Sequence, residues 1–262
     1  MCGQAGLILA PGRRNKEKLE HLRDVFTRLL ALNEFRGKHA TGVAIVDDDG
    51  SYSLLKKPVK ASRFIFCKEY REMIKTLSNR ASLLMGHARF ATVGCHTKAN
   101  NNHPNEAGCC LSTMNGTIFN ADELFEKFAL SRHAEVDSEL IAQLADRHAP
   151  DGEILVSNFV HSLRFCRGQI SAVVASLLDP QRVIILKGNK PLCLRYNANF
   201  RAVIYSSEEL HLDVVLKNDG NWKNLDLSPM TCAVFDVSNL PEFEKLEFNF
   251  IRENRRKISC MI

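Results

Sequence analysis

The sequence runs to 262 residues, 45% of them hydrophobic and 25% charged, with a formal net charge of +5. That is apolar material for a sizeable core, yet no run approaches the roughly 20 apolar residues that a bilayer-spanning helix needs. Nine cysteines, an odd number without framework spacing, argue against a disulfide scaffold.

The apolar run at 6–10 has no basic stretch before it and ends in Pro11-Gly12, so it does not read as a secretory signal. Cys260 stands one place too late for a prenylation box. The expected location is therefore cytoplasmic, without a membrane partner. Basic clusters at 13–18 and 252–257 read as solvated charge rather than a nucleic-acid surface, since no aromatic–basic motif or zinc-finger spacing accompanies them.

In chain order, residues 6–10 predict a short buried strand. Leu19, Leu22, Phe26, Leu29 and Leu30 recur at helical spacing and predict an amphipathic helix over 16–34, stopped by Arg36-Gly37. Strands at 41–46 and 52–56 flank the hairpin turn Asp47-Asp48-Asp49-Gly50. A helix at 69–77 precedes strands at 82–92 and 109–118. Helices follow at 121–128, 138–147 and 152–165, the first two behind Asn120 and Asp137 as N-caps. Beyond Gly168 come strands at 170–177, 183–187, 192–196 and 202–206, a helix at 208–216 and a last strand at 231–237. Strand runs interrupted by helices predict two stacked sheets with helices outside, in one domain over 1–241. Residues 242–262 are set apart as a tail of unassigned role.

Position two carries the first chemistry. A small residue there permits removal of Met1, which would leave a thiol and a free α-amine on Cys2. That amine, with a reference pKa of about 7.7–8.0, is partly neutral at physiological pH and can act as base towards its own thiol. Five segments follow in order: Arg36-Gly37-Lys38-His39-Ala40-Thr41-Gly42, Gly86-His87-Ala88-Arg89-Phe90-Ala91-Thr92-Val93-Gly94, His103-Pro104, Met114-Asn115-Gly116-Thr117-Ile118-Phe119-Asn120 and Val136-Asp137-Ser138-Glu139.

Taken together behind Cys2, these segments resemble the glutaminase domain of class II glutamine amidotransferases, which are N-terminal nucleophile hydrolases. The resemblance covers roughly the first 210 residues and is nearest to the glutaminase half of the sugar-phosphate aminotransferases. It implies a four-layer αββα sandwich of two mainly antiparallel sheets, an α/β fold of the N-terminal nucleophile hydrolase type. It also implies glutamine as substrate and no cofactor. Cys2 would be the nucleophile, with Asn115 and Gly116 as oxyanion donors. Arg89, Phe90, Thr92, His103 and Asp137 would bind glutamine, with Arg36 and Gly37 in support. Each role suits its residue: a guanidinium fork matches the α-carboxylate, a carboxylate the α-ammonium, and an amide N–H the developing oxyanion.

His39 and Ala40 stand where that pattern has Asp and Ser, and Val93 and Met114 each replace a His. The sugar-phosphate reaction itself is therefore not implied. The favoured reading is a stand-alone glutaminase that delivers ammonia to a separate acceptor synthase. The alternatives are a free-standing hydrolase of another amide and a non-catalytic binding or scaffold protein. Cys95, His96, His103, Cys109 and Cys110 lie near one another in sequence, but no CxxC pair is present, and neighbours in a strand point to opposite faces. No metal is expected.

Overall fold

The computed structural model describes residues 2–253. Seven strands form the first sheet, in the order β11-β9-β10-β1-β4-β2-β3. Its members are β1 (Gly3–Leu9), β2 (Ala40–Asp47), β3 (Tyr52–Lys57), β4 (Ala81–Arg89), β9 (Cys193–Asn197), β10 (Ala202–Ser206) and β11 (Lys223–Leu225). The second sheet runs β13-β12-β8-β7-β6-β5, with the short β14 (Ile251–Arg252) lying parallel to β7. It is built from β5 (Asn105–Ala107), β6 (Cys110–Ile118), β7 (Arg167–Ser176), β8 (Arg182–Lys187), β12 (Thr231–Asp236) and β13 (Phe243–Glu247). Apart from the β14–β7 pair, every pairing in both sheets is antiparallel.

Alternation along the strands explains the layering. In β1, Ala5, Leu7 and Leu9 face one way, while Ile8 faces the other. The first set packs under α1 (Lys16–Leu32), α2 (Ala61–Phe64), α3 (Lys68–Lys75) and α7 (Glu209–Leu216), against Phe26, Leu29, Phe64 and Leu212. Ile8 joins Met85, Val173, Ile185, Tyr205 and Phe235 in the layer between the two sheets. The outer face of the second sheet is covered by α4 (Ala121–Lys127), α5 (Glu139–Arg147) and α6 (Val156–Leu163) through Leu124, Leu140, Leu144 and Phe159. Central strands buried on both faces read as continuous apolar runs. The result is the four-layer αββα sandwich with helices on both outer faces.

Three local expectations change. Asn120 holds the N-cap position of α4 without a side-chain cap bond, and Asp137 stands one residue before the N-cap Ser138 of α5. The Asn120 amide instead donates to Phe165 O at 3.0 Å and accepts from Arg167 N at 2.8 Å, fastening the entry of β7. The Asp137 carboxylate accepts from Ile118 N at 2.6 Å, across the end of β6. The boundary at 241 falls inside the second sheet, because β13 pairs with β12 from Thr231 opposite Glu247 to Phe235 opposite Phe243. As an edge strand with Glu244, Lys245 and Glu247 in solvent, β13 shows little apolar signal in the sequence. Residues 254–262, with most of the basic cluster, and Met1 lie outside the described residues. Finally, Cys109 belongs to the Gly108-Cys109 turn between β5 and β6, so its side chain does not oppose that of Cys110. The two sulfurs stand 4.0 Å apart.

Candidate active site

Cys2 sits at the open end of β1, where Gly3 pairs with Ala88 of β4 and the next residues of the two strands meet. Phe90 N donates to Cys2 Sγ at 3.4 Å. Burial pushes the Cys2 thiol up from its ordinary value. The backbone contact with Phe90 and the positive charge of Arg89 oppose this, and Asp137 reinforces it. The thiol is therefore protonated at neutral pH and needs a base to become a nucleophile.

The carbonyl of the same residue is held from two sides. Arg36 Nε donates to Cys2 O at 2.7 Å. The Asn115 amide is satisfied in the orientation in which its nitrogen donates to Cys2 O at 3.2 Å and its oxygen accepts from Arg36 at 2.9 Å. Arg36, nearly buried, also pairs with Glu208 just past the end of β10. Gly37 lies against the backbone of Ala88 and Arg89, which places Arg36 at the mouth of the site. Two residues beyond Cys2, Gln4 is fully buried and braces both sheets. Its nitrogen donates to Ser171 O at 3.0 Å, and its oxygen accepts from Thr113 Oγ1 at 2.8 Å.

Cys2, Phe90, Thr92, Asn115 and Gly116 line one pocket of about 220 Å³, together with Thr117, Phe119, Gln169 and Lys190. At Gly116 the backbone takes φ +152°, and an added Cβ would lie 1.8 Å from Gln169 O. Only glycine fits this point of the β6–β7 pairing. Arg89 and Asp137 stand behind the lining. Burial raises the Asp137 carboxyl, while backbone N–H groups from Ile118, Asp137 and Ser138 and the charge of Arg89 pull it back. Arg89 donates to Asn102 Oδ1 at 2.8 Å, Val93 O at 2.5 Å and Gly94 O at 3.1 Å. The guanidinium expected to grip a carboxylate therefore also pins the loop that carries Thr92.

His103 is placed elsewhere. It is buried behind the pocket, its ring 3.9 Å from that of His87 centroid to centroid. His39, at a position where the motif departs, accepts from Ala91 N at 2.9 Å and packs on Phe90.

No family model matches the chain. It is 24% identical over 217 residues to the 7-cyano-7-deazaguanine synthase of Sulfolobus acidocaldarius, a match covering 81% of this chain and 44% of that protein. Over 267 aligned residues it is 25% identical to the isomerizing glutamine–fructose-6-phosphate aminotransferase of Aeropyrum pernix, covering 98% of this chain and 40% of the relative. Among solved structures, it superposes on the glutamine phosphoribosylpyrophosphate (PRPP) amidotransferase from B. subtilis complexed with ADP and GMP. That likeness has a TM-score of 0.66 at 18% identity and covers 95% of this chain and 49% of that one. The chain is similar in sequence to a glutamine-dependent aminotransferase and in fold to a glutamine amidotransferase.

The chain spans less than half the length of the two curated relatives just described. Among its described residues, no helix is long and apolar enough to cross a membrane. Several residues of its site escape a reading of motifs. Glu208 looks like any acidic residue at a helix start, and Gln4 like one polar residue in an apolar strand. Gln169 and Lys190 enter the pocket from β7 and from the β8–β9 loop. A spacing rule could have flagged Gln4, since a polar side chain inside a continuous apolar run must find partners when buried.

Proposed function

We propose that this chain hydrolyses the side-chain amide of glutamine to glutamate and ammonia, and that the ammonia passes to a separate acceptor synthase. The observation that carries the reading is the convergence of Cys2 Sγ with Asn115 and Gly116 in one pocket, the Cys2 carbonyl gripped by Arg36 and Asn115. With Met1 removed, the α-amine of Cys2 takes the thiol proton through a water, and the sulfur attacks the amide carbon. Asn115 Nδ2 and the Gly116 N–H stabilise the oxyanion. The amine returns the proton to the leaving nitrogen, ammonia departs, and water hydrolyses the γ-glutamyl thioester. Arg89 and Thr92 receive the α-carboxylate, and Asp137 the α-ammonium. The chemistry needs no cofactor. A synthase and an aminotransferase among the relatives support delivery of ammonia to an acceptor enzyme.

Intact mass of the purified protein, followed by incubation with a diazo-ketone analogue of glutamine, tests the proposal. The expected result is loss of Met1, a single adduct on Cys2, and ammonia release from glutamine that Cys2→Ala abolishes without loss of fold. Retained Met1 with neither adduct nor ammonia refutes it and leaves a non-catalytic binding role.

A further inference from the structure

At the far end of β6 from the pocket, three potential metal ligands converge. The sulfurs of Cys109 and Cys110 are 4.0 Å apart, and with a carboxylate oxygen of Asp146 on α5 they all lie within 4.8 Å of one another. Two sulfurs each about 2.3 Å from one tetrahedral ion must stand about 3.8 Å apart. The pair therefore needs almost no movement to share an ion.

The surroundings hold this arrangement in place. Asp146 Oδ1 accepts from Cys109 N at 2.9 Å, which fixes the carboxylate over the turn. Gly108 has φ +50°, and a Cβ there would lie 2.0 Å from Asp146 Oδ1, so only glycine lets the carboxylate come so close. Ser176 Oγ donates to Cys109 Sγ at 3.5 Å. Cys110 is buried and Cys109 half-buried, so one side of the trio is lined by protein and the other opens outward.

We propose that Cys109, Cys110 and Asp146 bind a thiophilic divalent cation of the Zn²⁺ class, with water as the fourth ligand. Two thiolates and one carboxylate suit a borderline-soft tetrahedral ion and do not suit Mg²⁺ or Ca²⁺, which take oxygen ligands. Binding displaces two thiol protons into solvent and leaves a cluster of net charge −1. Because a thiol must lose its proton to bind the ion, affinity rises with pH. Five residues of strand, about 17 Å, separate Cys110 from Asn115. The ion is thus structural, clipping the β5–β6 turn to α5, and takes no part in the amide chemistry.

The test uses the full chain after chelation, titrated with Co²⁺ followed spectroscopically and with Zn²⁺ followed by calorimetry. The expected result is one tight equivalent, a thiolate-to-cobalt absorption band, proton release, and a Zn²⁺-dependent rise in Tm. Asp146→Asn keeps the oxygen that accepts from Cys109 N and should weaken binding roughly tenfold or more. Cys109→Ser, at a half-buried position, should remove the band while circular dichroism stays unchanged. Cys95→Ser, on the exposed loop, should change nothing. A cobalt band that survives Cys109→Ser, or the absence of any band from correctly folded protein, overturns the proposal.

Discussion

Arg36 Nε reaches the carbonyl oxygen of Cys2 at 2.7 Å, so Cys2 is held by a side chain 34 positions away. The same guanidinium is anchored by Glu208 and donates to the oxygen of the Asn115 amide. One cation thereby orients both the backbone of Cys2 and the Asn115 amide.

Arg36→Ala should lower kcat/KM for glutamine by roughly 10- to 150-fold, the equivalent of about 1.5 to 3 kcal/mol for a hydrogen bond to a charged group. Glu208→Gln keeps a hydrogen-bond partner for Arg36 and should cost less, acting mainly on kcat. Steady-state ammonia release by the two variants checks this. Equal and small effects in both would remove Arg36 from the site.

Asn115→Ala should depress kcat by about 10²- to 10³-fold with little change in KM, as expected for loss of one oxyanion donor. Gly116→Ala is different in kind. Its Cβ collides with Gln169 O, so the β6–β7 pairing must open, and the melting temperature should fall together with activity. A Gly116→Ala protein that melts like the parent would mean that this backbone relaxes.

Asp137→Asn should raise KM for glutamine more than it lowers kcat, because the carboxylate meets the ground-state ammonium. The asparagine oxygen can still accept from Ile118 N, so the end of β6 should keep its place. Glutamine analogues without the α-amino group should bind parent and variant alike. A variant that discriminates as the parent does would take Asp137 out of recognition.

Acid should destabilise the fold through the stacked pair His87 and His103. Burial holds His87 at about 3, opposed by its hydrogen bond to Met114 O and reinforced by Arg89. Burial likewise holds His103 well below its ordinary value, with His87 and Arg89 adding to the effect. In the unfolded chain both titrate near pH 6.5, so between there and about pH 3 the unfolded state binds more protons. Stability is full above pH 6.5 and falls as pH drops, with a slope on the order of 2 kcal/mol per pH unit near pH 5 for the two groups. Urea midpoints between pH 7.5 and 5 measure it, and a flat profile would show that the pair protonates within the fold.

The architecture was legible because buried central strands and amphipathic outer helices leave clear patterns, as in 16–34 and 183–187. The meeting of Cys2, Asn115 and Gly116 in one pocket was legible because the segments that carry them fall in a recognisable order behind position two. What stayed hidden depends on contacts between distant segments. Glu208 matters only because β10 lies beside β1, and nothing local marks it. Asn120 has the right chemistry for a cap, but the entry of β7 at Arg167 claims its amide first. His103 sits in a motif and yet is buried with its ring stacked on that of His87, a contact that nothing local in the sequence marks. The short strands β5, β11 and β14 have three residues or fewer, too few for a period to show.

Gln4 carries a consequence that reaches past the pocket. Its amide spans from the strand of the nucleophile to β6 and β7, so the position of the sulfur depends on how far apart the two sheets stand. Residues such as Ile8, Met85 and Val173, which set that spacing, lie well inside the molecule and touch no substrate. A methyl group lost among them would let the sheets settle closer and shift the sulfur relative to Asn115, slowing turnover before the fold notices.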